Sequence, residues 1–282
     1  MNAAVSTGGR RWLWATFWVL VVFLYAPLVI LLIFSFNDRN LVSFPWEGFT
    51  LRWYESFIHN AEILDALRMS LWVAALTAVV TTVLAIPASI ALVRRRFFAK
   101  GLVSGVMLAP LVIPLVVLGT ALLILFNTIG LEFSGFTVAI GHIVIALPFA
   151  ILTLVPRLER IPAALEEASR DLGAGWFTTF RQITWPLMLP AIFSAFLLSF
   201  VISFDEVVVA SFVAGDQVTF PVYLYSQLRL PRRLPQVISV AVVILLISAI
   251  VVIASEVLRK ATDRRLEAAT TVIDDEKEVS VA

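Results

Sequence analysis

The sequence predicts an all-α membrane protein with six transmembrane helices and both termini in the cytoplasm. Hydrophobic residues make up 60% and charged residues 15% of the 282, and mean hydropathy is +0.96, far from the balance of a soluble domain. Six apolar runs are each long enough for the roughly 20 residues that cross a hydrocarbon core. Fifteen of the 21 lysines and arginines fall in one set of alternating polar segments, which includes both termini, and six in the other, and that asymmetry sets orientation.

A cytoplasmic segment 1–11, carrying Arg10 and Arg11, leads into the first span at 12–36. This run is too long, and lacks the small-residue site that follows a short apolar core, to read as a cleaved signal. An external loop 37–66 follows, with Trp46, Trp53 and Tyr54 beside the turn residues Pro45 and Gly48. Its aromatics suit the membrane interface. The core domain, 67–257, holds spans at 69–93, 102–127, 136–155, 187–213 and 237–257, and a polar tail 258–282 ends the chain. Pro27, Pro87, Pro110, Pro114 and Pro148 lie inside these runs. Each frees a backbone carbonyl that a neighbouring helix or water must satisfy.

The long polar interval 156–186 sits on the arginine-rich side, with Arg157, Arg160, Arg170 and Arg181. Pro162 suits the first turn of a helix. Ile161, Leu165, Ala168 and Leu172 form an apolar stripe at helical period. Glu166 stands four residues before Arg170, a spacing that supports a helix by a few tenths of a kcal/mol, and Gly173 supplies a left-handed stop. Trp176, Phe180 and Ile183 repeat the helical spacing before Pro186. Two short amphipathic helices with a glycine bend are expected, in a loop that asks for a partner outside the bilayer.

At these residues the chain resembles the permease subunits of ABC importers, whose EAA loop reads Glu-Ala-Ala, three residues, Gly, nine residues, Ile-x-Leu-Pro. Here the match is Glu167-Ala168-Ser169, Gly173 and Ile183-Thr184-Trp185-Pro186. Ser169 and Trp185 depart from the pattern, but glutamate, glycine and proline all remain. The resemblance implies a type I importer permease fold and a loop that docks into a groove of an ATP-hydrolysing subunit. It implies Leu165, Glu166, Glu167, Ala168, Arg170, Asp171, Gly173, Ile183 and Pro186 as docking residues. The stretches SFPWEGFTLRWY and GDQVTFPVYLYSQLR are similar to the spermidine/putrescine branch of these permeases.

As implied partners the resemblance gives an ATPase dimer, a second permease subunit of different sequence, an external solute-binding protein and the lipid bilayer of a bacterial inner membrane. The three lysines, Lys100, Lys260 and Lys277, precede Gly101, Ala261 and Glu278. None can close a phosphate-cradling G-x-x-x-x-G-K-[ST] loop, so ATP is expected on the partner chain and no cofactor on this one. With no cysteine and only His59 and His142, neither a thiolate nor a histidine metal site is expected. No nucleophile elbow or H-E-x-x-H appears, so no enzyme is expected. A net charge of +1 gives no reason for nucleic acid. A permease for another small solute is the alternative. A secondary transporter would call for inverted internal repeats, and none is visible.

Asp205-Glu206 is the one adjacent acidic pair well inside an apolar run. Each charge at a bilayer centre costs about 2.5–3.5 kcal/mol on insertion scales, so lipid exposure of both is untenable. Adjacent helical positions diverge by about 100°, so only one can point into a central path. The other has a choice of Arg229, Arg232 or Arg233 as partner, or caps a broken helix. Alternatively the helix ends here and both are solvated. In the sharper reading one carboxylate attracts a cationic solute, in keeping with the resemblance to polyamine permeases.

Overall fold

A computed structural model describes residues 7–247. Apolar sequence in long uninterrupted runs satisfies its backbone within helices, and the described residues are helical apart from connecting loops and one isolated bridge, Asn37 to Phe49. Among the described residues four helices are long and apolar enough to cross a membrane, and five if one sharply bent pair counts as a single span. The expected span 237–257 is helical over 234–247. Its remainder and the tail 258–282 lie outside the described residues.

The chain divides into two compact units. In the first, α1 (Thr7–Phe34) is apolar all round and exposed along most of its length, as a helix facing lipid is. The following loop is knitted by Thr50 N–H to Phe36 O (2.8 Å) and by Trp53 Nε1 donating to Asn37 O (2.9 Å). Arg52 pairs with Asp38 at 2.9 Å and lies over the Trp53 ring. Helix α2 (Arg52–Ile58) is tied to residues 234–247 by Gln236 Nε2 donating to Ser56 Oγ at 2.9 Å.

The second unit, Asn60–Ser226, is organised on three mutually packed helices, α3 (Ala61–Arg94), α6 (Gly135–Glu159) and α9 (Trp185–Asp205). Asn60 caps α3 by accepting from Ile63 N–H. Apolar side chains gather in two clusters. One holds Val73, Leu122, Phe126, Val138 and Val209; the other holds Leu154, Leu158, Met188 and Ile192. Between the clusters the helices meet through small and polar groups: Thr77, Thr81, His142, Ser199 and Ser203 are all buried.

Two predicted spans are broken. The run 102–127 forms α4 (Lys100–Leu108), a 3-10 turn (Ala109–Leu111) and α5 (Leu115–Thr128), with a bend of 103°. Pro110 and Pro114 remove two donors at the corner and exclude a continuous helix. The run 187–213 ends its long helix at Asp205 and resumes as α10 (Val208–Val213), with Glu206 extended at φ −76, ψ 122. Gly141 lets α10 approach α6, since a Cβ there would lie 2.7 Å from Val209 Cγ1.

Candidate functional site

The polar interval forms α7 (Ala163–Asp171), α8 (Trp176–Thr179) and a π-turn (Phe180–Thr184) that runs without a break into α9. Residues 156–159 belong to α6. The second amphipathic piece is thus the start of a long helix rather than a separate one. Its π-turn absorbs a register change, a feature often found at functional sites. Gly173 turns the chain at φ +84, the left-handed region that costs other residues roughly 1–2 kcal/mol. Ser169 Oγ and Thr179 Oγ1, 3.0 Å apart, brace α7 against α8 across that bend.

Glu166 is the hub, but Arg170 is not its ionic partner. Its carboxylate accepts from Arg94 Nε, at the end of α3, and from Thr184 Oγ1, each at 3.1 Å. Arg94 also donates to Ile161 O at 2.8 Å, while Arg170 Nε reaches only the Glu166 backbone carbonyl at 3.1 Å. One residue thereby joins α3, α7 and the root of α9. Arg94 was visible in the sequence only as one charge in an arginine run; nothing in the spacing marked it as the partner of a residue 72 positions away.

The rest of the loop faces outward. Glu167, Ala168, Arg170, Asp171 and Gly173 are exposed, and of the apolar stripe only Ile161 is buried. Leu165 is 44%, Leu172 90%, Trp176 62% and Phe177 65% exposed. A groove of about 290 Å³ beside Arg94 and Arg95 is lined by Glu167, Arg170 and Trp176. Ile183 is half-buried in the π-turn and Pro186 sits in the first turn of α9. An apolar ridge with charges of both signs is the composition of a surface that another polypeptide covers.

The second candidate lies at the α9–α10 break, where a cavity of about 630 Å³ has walls drawn largely from apolar residues such as Ile113, Phe149 and Val201. Among the described residues its lining holds two carboxylates, Asp205 and Glu206, and no lysine or arginine. The structure separates their roles. Asp205 is exposed. Glu206 is 8% exposed and caps α10, with Oε1 accepting from Val209 N–H (2.9 Å) and Oε2 from Ala210 N–H (3.0 Å). His142 of α6 places Nε2 3.2 Å from Glu206 Oε2, in contact but misaligned for a hydrogen bond. Its Nδ1 is 2.8 Å from Ser203 Oγ. His142 and Ser203 carried no sequence signal, being a lone histidine and a serine in apolar runs.

Residues 82–268 match the family described as the binding-protein-dependent transport system inner membrane component, and that span includes the glycine-bent loop and both carboxylates. The chain belongs to this family. Among its relatives, the permease is 35% identical to the spermidine/putrescine transport system permease protein PotC of Escherichia coli (strain K12) over 239 residues, 84% of this chain and 90% of that one. It is 36% identical to the putrescine transport system permease protein PotI of the same strain over 216 residues, 74% of this chain and 76% of the relative. A bacterial ABC transporter involved in the import of the acidic polysaccharide alginate has a chain that superposes with a TM-score of 0.71, covering 92% of the permease and 99% of itself at 16% identity. That likeness shows the importer permease fold alone, and its acidic cargo says nothing of the solute here.

Proposed function

We propose that this permease forms one half of the membrane path of an ATP-driven importer for a polyamine. Six spans carry it across a bacterial cytoplasmic membrane with both termini inside. A second permease of different sequence completes the path, an external solute-binding protein delivers the solute, and an ATPase dimer binds the ATP. The ridge of Leu172, Trp176 and Phe177 with Glu167 is the ATPase-docking face, and the Glu166–Arg94 contact passes its motion to the bundle.

The observation that carries the solute class is Asp205. It is an exposed carboxylate on the wall of a cavity to which the described residues bring no lysine or arginine, in a chain whose two named relatives transport spermidine or putrescine. An apolar wall with one carboxylate suits a flexible alkyl chain carrying ammonium groups: the methylenes lie along Val201 and Phe149 while one ammonium meets the charge. Uptake into vesicles holding the complete transporter tests the reading. Asp205→Asn should raise the KM for putrescine and spermidine about tenfold, the equivalent of ~1.4 kcal/mol, with basal ATPase activity intact. Wild-type KM in that variant would remove Asp205 from the path, and wild-type vesicles that import neither amine would point to another small solute.

A further inference from the structure

We infer that His142 is a positioning residue that holds Glu206 out of the cavity's electrostatics, so that the half-path presents a single free negative charge, on Asp205. Two neighbouring carboxylates line this cavity, yet the fold treats them differently. Both Glu206 oxygens are engaged, one by Val209 N–H and the other by Ala210 N–H and the edge of the His142 ring. His142 is 1% exposed and arrives from α6, a different helix, so it is not a local consequence of the α10 cap. Ser203, one turn before the break, fixes the ring through Nδ1. That contact sets the ring so that Nε2 lies 3.2 Å from Glu206 Oε2. A buried carboxylate demands such compensation, because an unpaired one costs several kcal/mol.

The consequence is a rule for solute charge. A half-path with one free carboxylate matches one ammonium group, whereas one with two would hold multiply charged amines more tightly and release them more slowly. This deepens the polyamine reading and rests on Asp205 facing the solute path, but it can be measured without any solute.

The chain has no cysteine, so a single Val201→Cys substitution gives one thiol on the cavity wall, four residues and one helical turn from Asp205. Full-length protein in membranes is labelled with two methanethiosulfonate reagents, one carrying trimethylammonium and one a neutral hydroxyethyl group. The ratio of their rates reads the local potential, and the neutral rate alone reports access and folding. One charge at about 8 Å in a cavity of effective dielectric ~40 changes the ratio about fivefold.

Asp205→Asn should lower the ratio about fivefold, while Glu206→Gln leaves it unchanged because that charge is already compensated. His142→Ala should raise it, Glu206→Gln on top should cancel the rise, and His142→Gln, which places an amide N–H beside the carboxylate, should hold the ratio closer to wild type than His142→Ala does. A Glu206→Gln variant that lowers the ratio as far as Asp205→Asn overturns the inference without requiring any His142 variant to fold. An Asp205→Asn variant with an unchanged ratio does so as well, as does a His142→Ala rise that survives Glu206→Gln. If the ratios behave as expected but wild-type vesicles import no polyamine, the charge arrangement stands and the solute assignment alone falls.

Discussion

Replacing Glu166 with alanine removes both side-chain bonds that hold α7 to the end of α3 and to the π-turn. A hydrogen bond involving a charged group contributes about 1.5–3 kcal/mol. The two partners are 13% and 17% exposed, so solvent screens them less than a surface pair, yet they fall short of the 3–5 kcal/mol that breaking a fully buried pair costs. Taking about 2–3 kcal/mol, the population of undocked α7 rises roughly 30- to 150-fold. Hydrogen exchange on the chain in lipid nanodiscs reads this directly: the amides of α7 should lose protection by that factor while those of the α3–α6 core do not. Arg94→Ala should reproduce most of the loss. The double variant should cost less than the sum, with a coupling of about 1–2 kcal/mol. Protection in Glu166→Ala within threefold of wild type, or strictly additive effects, would refute the hub and leave α7 held by packing and the Ser169–Thr179 contact.

Gly173→Val meets no atom within 4 Å of its Cβ, so its penalty is conformational, about 1–2 kcal/mol; the variant should reach the membrane normally yet hydrolyse ATP without matching uptake. Glu167→Lys reverses an exposed charge on the proposed docking face and should weaken co-purification with the ATPase, with normal yields of the chain itself. Gly141→Val forces side-chain atoms against Val209, an overpacking worth about 1–3 kcal/mol, and should lower the Tm in detergent by about 5 °C. Tags at Ser6 or Ala282 should be reached only from the cytoplasm and tags near Gly48 or Gln217 only from outside, as read by impermeant labelling of intact cells.

What the sequence disclosed follows from which interactions are local. Apolar runs, the glycine bend and the amphipathic spacing are local, so the helical class and the hinge at Gly173 could be read directly. Continuity was harder. The corner at 112–114 depends on Pro110 and Pro114 acting together, whereas Pro87 and Pro148 lie inside unbroken α3 and α6; proline alone does not distinguish the two cases. The break at Glu206 depends on a carboxylate turning back onto two amides, with a histidine 64 positions earlier beside it. Glu166 shows the same limit, since the local partner Arg170 was available by spacing but Arg94, brought in by packing, took the carboxylate. Hydropathy also could not say which of two adjacent acids would be buried, because that is decided by α6 rather than by the run containing them.

The thirty residues from Trp176 to Asp205 form one unbroken rod, about 45 Å long at 1.5 Å per residue. One end stands in the loop, four residues after Leu172, and the other terminates at the carboxylate on the cavity wall. Such a rod transmits thrust and torque along its length, and a joint in its regular α-helix, the π-turn, lies at the loop end, with Pro190 inside the helix just beyond it. A tilt imposed beyond that joint is magnified by the length of the lever: about 5° at the π-turn sweeps the far tip through roughly 3 Å, given the 1.5 Å rise. That displacement is comparable to the reach of an ammonium–carboxylate contact, so a small rocking of the loop is enough to make or break the grip on a passing solute.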